Sequence, residues 1–200
     1  MIINAFIKEL KGRVPTISEE RRNALEEFTQ LIKKQINETG NSVVKFVCTH
    51  NSRRSQLAEF CLDILAREEE LPIMSLSAGT ESTAFNPRMV KAIESYGHEL
   101  IKYGSEPNPL YIYRIDHDDL YYYSKKYDEE LIDYGRTIIV TVCDHAGENC
   151  PVIPGTYERI HLNYKDPKEF DNTPNESKAY KDKVLEIGSE MYYVIQKMLE

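Results

Sequence analysis

Long apolar runs are missing from this chain, and no stretch approaches the roughly 20 consecutive apolar residues that a membrane span requires. The opening Met1-Ile2-Ile3-Asn4-Ala5-Phe6-Ile7-Lys8-Glu9 is too short and too soon charged for a secretory signal. A basic excess is missing too. With 25 Lys and Arg against 33 Asp and Glu the net charge is −8, which argues against a nucleic acid or an anionic membrane as main partner. Any anion site must therefore be built locally. Cysteine is sparse, at 48, 61, 143 and 150, and without a secretory signal such a set points to catalysis, redox chemistry or a metal rather than a disulfide scaffold. A cytoplasmic protein is expected. Polar low-complexity tracts are absent, so 200 residues with 41% hydrophobic content fit one globular unit with a sizeable core.

What is present centres on residues 43–55. Val43-Val44-Lys45-Phe46-Val47-Cys48 is apolar or β-branched at all but one position and reads as a buried strand. Leu57, Cys61, Ile64 and Leu65 then mark a helical face, which leaves Thr49-His50-Asn51-Ser52-Arg53 between a strand and a helix N-terminus. Unpaired N–H groups and the positive end of the helix dipole meet there, where a tetrahedral oxyanion would sit, and the same field stabilises a sulfur anion at Cys48. Arg54 presents a planar fork for two anion oxygens, and Ser55 can donate its hydroxyl to the thiolate. Residues 49–54 thus form a candidate oxyanion cradle for a Cys48 nucleophile. A bare Cys-x5-Arg arises by chance, and its place between strand and helix is what gives it weight.

Around this centre, Thr16-Ile17-Ser18-Glu19 has capping-box form, and Leu25, Phe28, Ile32 and Ile36 follow at helical spacing until Gly40. Residues 1–40 therefore read as an N-terminal helical extension, and 41–200 as an α/β domain. Residues 73–78 read as a second strand. Asn86-Pro87 opens a helix carrying Val90, Ile93 and Tyr96 and stopped at Gly97. Residues 98–136 hold eight of the fourteen tyrosines and read as a packed insertion with an edge strand at 110–115. The competing reading makes those tyrosines an aromatic wall beside the pocket. Residues 137–143 form the clearest buried strand, 159–162 a shorter one, and Thr173-Pro174-Asn175-Glu176 caps a long closing helix marked by Val184, Ile187, Met191, Ile195 and Met198. Alternating strands and helices predict a mostly parallel sheet. Cys48, Cys143 and Asp166 then fall at or just beyond strand carboxyl ends, where ligands gather.

Cys143 and Cys150 are a second constellation. In a helix their Cα atoms would lie ~10.5 Å apart, beyond the roughly 7 Å reach of a disulfide, whereas a loop bending at Gly147 can bring them together. The pair therefore reads either as a redox switch or as a core strand residue followed by a loop thiol. Cys48-x-His50 and Cys143-x-His145 with Cys150 also offer zinc-type ligands, at spacings unlike structural knuckles.

Taken together, the 48–55 loop with Gln56-Leu57-Ala58-Glu59, Ser77-Ala78-Gly79-Thr80-Glu81, Asn86-Pro87, Cys143-x6-Cys150-Pro151 and Asp166-Pro167 resemble the low-molecular-weight protein tyrosine phosphatase superfamily. Within it, they look most like the thioredoxin-coupled arsenate reductases, over about residues 43–200, with the N-terminal helix and the tyrosine-rich insertion outside the resemblance. The resemblance implies a four-stranded, mostly parallel sheet flanked by helices. It makes Cys48 the nucleophile, Arg54 the oxyanion clamp, Ser55 the thiolate partner and Asp166 the acid. In the reductase version Cys143 expels arsenite from the Cys48 adduct, and Cys150 closes a redox-active Cys143–Cys150 disulfide that thioredoxin reduces. In the phosphatase version Cys48 forms a phospho-enzyme that water releases, and the two later thiols are not needed. A third alternative is a non-catalytic phosphate- or metal-binding module. The resemblance also implies an arsenate or phosphate-type oxyanion as ligand and a potassium ion beside the loop at Asn51, Glu59 and Ser77. Three departures stand out. Arg53 occupies a position that is often Cys, and no tyrosine pair follows Asp166-Pro167. His50 replaces the usual Gly where a positive φ is expected, a conformation that His and Asn tolerate better than most residues.

Overall fold

The computed structural model describes residues 2–115, 118–127, 136–143 and 156–200. α1 (Ile2–Arg13) lays Phe6 and Leu10, one turn apart, fully buried against the closing helix. α2 (Glu19–Thr39) is capped by Ser18, whose Oγ accepts the Arg21 N–H at 3.2 Å, and not by Thr16, whose hydroxyl donates to the Arg13 carbonyl. Gly40, at φ 84°, ends it.

β1 (Ser42–Cys48), α3 (Arg54–Glu68), β2 (Ile73–Gly79) and α4 (Pro87–Glu94) follow close to the expected bounds. Asn86 caps α4 by accepting the Arg88 N–H at 3.0 Å. β3 (Ile101–Tyr103), β4 (Leu110–Ile115) and β5 (Asp118–Tyr122) make a separate antiparallel sheet in the order β3-β4-β5. The expected edge strand is therefore the central one. Its alternation explains this: Tyr111 and Tyr113 turn inward with Tyr122 onto Phe60 and Phe85, while both sides of the β4 backbone pair with neighbours. Tyr103, Tyr121 and Tyr123 face solvent, so the three strands of this sheet pack on one side only.

β6 (Thr137–Thr141) and β7 (Thr156–His161) complete the main sheet, followed by a 3₁₀ turn (Pro167–Phe170) and α5 (Glu176–Leu199). α5 starts later than its Thr173-Pro174 signal suggests. Asn175 is its N-cap residue, and Glu176 instead bonds back, accepting the Asn172 N–H at 2.7 Å. The main sheet has the order β2-β1-β6-β7 and is parallel throughout, as expected. Central strands of such a sheet bury both faces, and β1 is buried at every position. Val44, Phe46 and Cys48 join the core under the helices, where Phe28 of α2 meets Phe46 edge-on at 6.3 Å. On the opposite face Val47 and Ile139 pack with Tyr127. The parallel register sets Cys48 beside Gly79 and Val47 beside Thr141, so the carboxyl ends of three strands converge on one edge.

Candidate active site

At that edge the chain leaves β1, crosses residues 49–53 and enters α3. The carbonyls of this loop are all held from outside. Cys48 O accepts the Thr80 N–H at 3.2 Å, Thr49 O the Glu81 N–H at 2.8 Å and Ser52 O the Asn86 N–H at 2.8 Å. His50 O accepts the hydroxyls of Thr83 and Ser124, each at 3.1 Å, and Asn51 O the Gln56 side-chain amide at 3.1 Å. A trans peptide points its N–H opposite the preceding carbonyl, so outward carbonyls turn the N–H groups of residues 49–53 toward the hollow at Cys48. Arg53, the N-cap position of α3, makes no side-chain cap, which leaves the helix's first N–H groups facing the same hollow. Ser52 Oγ ties the loop to Ala84 O at 2.8 Å. Gly79 is a steric requirement, since a Cβ there would meet Glu81 O, with Thr49 O at 2.7 Å and Asn51 N at 2.8 Å.

The positive φ expected at His50 lies one residue later, at Asn51 (φ 45°), an amide residue that tolerates this region. The Asn51 side chain is fully buried and fixes the loop from below. Its Nδ2 donates to Ser55 Oγ at 3.0 Å and to Ser77 Oγ at 2.7 Å, while its Oδ1 accepts the Lys125 backbone N–H at 2.8 Å. Because Ser55 Oγ receives an N–H from Asn51, its own proton is directed to Cys48 Sγ, 3.0 Å away. Ser77 in turn donates to Glu59 at 2.5 Å.

Arg54 swings across to the last part of the chain. Its Nη1 donates to Tyr164 O at 2.8 Å and its Nη2 to Asp166 Oδ2 at 2.9 Å. Asp166 is held by its other oxygen, which accepts the Lys168 N–H at 3.0 Å. Arg53 also faces Asp166, at 3.6 Å, and donates to Tyr180 Oη at 3.2 Å, so its charge joins the site instead of pointing to solvent. Tyr164 is anchored from α5 and α2. Its hydroxyl donates to Glu190 at 2.6 Å, Glu190 is gripped in fork fashion by Arg21 of α2, and the Arg21 guanidinium lies 4.5 Å over the Tyr164 ring. His50 turns away, 3.6 Å from Glu81, with both side chains exposed.

Cys143, just past β6, is buried with its sulfur 3.8 Å from the Thr49 hydroxyl. It is a free thiol, as are Cys48 and Cys61. Cys61 sits inside the core, where burial pushes its thiol up, and takes no part in the site. His145, Gly147 and Cys150 lie outside the described residues. Lys125, the Tyr164 carbonyl and Tyr180 join the site without any sequence signal, since each partners a loop residue 74 to 127 positions away.

A thiol at the end of a parallel strand, a loop of inward N–H groups and a facing Arg–Asp pair define a cysteine-nucleophile enzyme on the low-molecular-weight phosphatase fold. Solved structures agree on the fold. A low-molecular-weight phosphotyrosine phosphatase from Vibrio cholerae O395 matches with a TM-score of 0.51 and 19% identity, over 80% of this chain and 98% of its own. An arsenate reductase in its oxidised state matches with a TM-score of 0.50 and 18% identity, over 78% and 98%. Among curated proteins, the arsenate reductase of Halalkalibacterium halodurans is 31% identical over 138 residues, 68% of this chain and 82% of that protein. The arsenate reductase of Bacillus subtilis is 30% identical over 153 residues, 76% and 93%. The chain belongs to the arsenate reductase family. No protein-family model matches it. No helix among the described residues is long and apolar enough to cross a membrane.

Proposed function

We propose that this chain reduces arsenate to arsenite through a thiol relay that starts at Cys48. The supporting observation is the second thiol: Cys143 lies 3.8 Å from the hydroxyl of the residue that follows the nucleophile, a position for which phosphate-ester hydrolysis has no use. In this reading the loop N–H groups and the Arg54 fork hold the oxyanion. The Cys48 thiolate, supported by Ser55, attacks arsenic, and Asp166 protonates the departing hydroxide so that it leaves as water. The Cys143 thiolate then attacks the Cys48 sulfur. The electron pair of the sulfur–arsenic bond passes to arsenic, arsenic(V) becomes arsenic(III), arsenite departs and a Cys48–Cys143 disulfide remains. Attack by the Cys150 thiolate on the Cys143 sulfur releases Cys48 as thiolate and leaves a Cys143–Cys150 disulfide, with thioredoxin as the proposed dithiol reductant. A reducing cytoplasmic setting goes with such a relay.

Fully reduced protein mixed with arsenate, without external reductant, tests this by arsenite assay and disulfide mapping. One equivalent of arsenite with a Cys143–Cys150 bridge is expected. Free thiols and no arsenite, with hydrolysis of a phenyl phosphate ester, would replace the reductase reading by the phosphatase one.

A further inference from the structure

Behind the nucleophile loop the side chains run in one line: Cys48, Ser55, Asn51, Ser77, Glu59, Lys125. The first links are the hydrogen bonds described above, and the last is an ion pair between Glu59 Oε1 and Lys125 Nζ at 3.5 Å. Both partners are nearly inaccessible, with side-chain exposures of 4% and 8%. A carboxylate taken so far from water needs a counter-charge. Lys125 supplies it and is itself fixed in place. Its N–H donates to Asn51 Oδ1 at 2.8 Å, its carbonyl accepts the Gly79 N–H at 2.9 Å, and the Tyr123 ring lies 5.0 Å from its ammonium.

We propose that Lys125 is the resident cation of this site and a positioning residue for Cys48, standing where the family resemblance puts a potassium ion. The three expected potassium ligands do not fit a free ion. Asn51 Oδ1 already accepts the Lys125 N–H and faces Gln56 Nε2 at 3.4 Å, and Ser77 Oγ receives Asn51 Nδ2 while giving its own proton to Glu59. A cation placed among them would also sit beside an ammonium of its own sign. The charge that orders Glu59, and through it Ser77, Asn51 and the Ser55 hydroxyl, is therefore covalently attached to the chain.

This assignment rests on Cys48 as the reactive thiol, and its test does not require turnover. Iodoacetamide modification of the Cys48 peptide, followed by mass spectrometry at fixed pH and ionic strength, reads the site directly. The wild-type rate is expected to agree within twofold in potassium chloride and choline chloride. Lys125→Met should slow at least fivefold in choline and recover to within twofold of wild type in potassium or ammonium. In a Glu59→Gln background, adding Lys125→Met should change the rate less than twofold. A wild-type rate that rises severalfold with potassium overturns the proposal, as does a Lys125→Met rate equal to wild type or an undiminished loss in the Glu59→Gln background. Should Lys125→Met not fold, Lys125→Arg decides: a rate near wild type and indifferent to potassium supports the assignment, and a potassium-dependent one overturns it. If these reactivities hold while reduced protein releases no arsenite, the arsenate reading fails and the Lys125 assignment stands.

Discussion

Asp63 and His98 lie apart from the nucleophile, and both carry displaced protonation equilibria. Burial, then the neighbouring charge of Glu59, pushes Asp63 up from 3.8 to about 7, against the Tyr122 hydroxyl bond and Arg67. Burial alone lowers His98 from 6.5 to about 4, with Nδ1 paired to the Tyr113 hydroxyl at 2.9 Å. Between about 4 and 7 the folded chain keeps an Asp63 proton that the unfolded chain has lost, so this group makes stability fall as pH rises. Between about 4 and 6.5 the unfolded chain holds a His98 proton that the folded chain lacks, so this group makes stability rise with pH. The two oppose each other, each at up to ~1.4 kcal/mol per pH unit. Asp63→Asn should therefore give a melting temperature that climbs relative to wild type from pH 4.5 to 6.5, and His98→Gln one that declines. Thermal melts across that window check this, and an Asp63→Asn curve parallel to wild type would place the Asp63 proton elsewhere.

The docking of α1 on α5 depends on one missing side chain. A Cβ on Gly188 would lie 2.8 Å from Leu10 Cδ2 and 3.3 Å from Phe6 Cζ. Gly188→Leu should cost about 2–3 kcal/mol by overpacking. For a chain of this size that lowers the melting temperature by roughly 4–12 °C. Iodoacetamide should still modify Cys48 at the wild-type rate, and a melt within a degree of wild type would mean that α1 does not dock there. Ile3, Phe6, Ile7 and Leu10 have the spacing of a helical face, but the contact that holds α1 in place cannot be read from the sequence. Its stability comes from a partner helix nearly 180 residues away, whereas β1 and α3 declare themselves through the unbroken apolar run at 43–48 and the face of Leu57, Cys61, Ile64 and Leu65. The N-cap of α2 falls two residues beyond the Thr16 signal because Ser18 supplies the cap, whereas that of α5 falls two residues beyond Thr173 at Asn175, whose side chain makes no cap hydrogen bond. The same division runs through the site. Cys48, Arg54 and Ser55 are close in sequence, so their meeting follows from a local turn. Lys125, Tyr164 and Tyr180 arrive by tertiary packing, for which spacing holds no trace.

We expect residues 1–40 to behave as an extension that shares the core, and 98–136 as an insertion wedded to the loop. Phe6, Leu10, Leu25, Phe28 and Ile32 belong to the same buried cluster as Phe46 and Cys48. Unfolding should thus be a single transition. The chain has no tryptophan, so tyrosine fluorescence and near-ultraviolet circular dichroism are the probes, and their midpoints should coincide with that of backbone circular dichroism. Two separated transitions would make the first 40 residues an autonomous unit. The long reach of Arg54 has a consequence for biosynthesis. Asp166 emerges from the ribosome 112 residues after the arginine it faces, a delay of ~6–22 s at roughly 5–20 residues per second. Throughout that interval the nascent chain carries Cys48 and an arginine whose carboxylate partner has not yet been made, and a product terminated early keeps the thiol and its loop without the facing carboxylate.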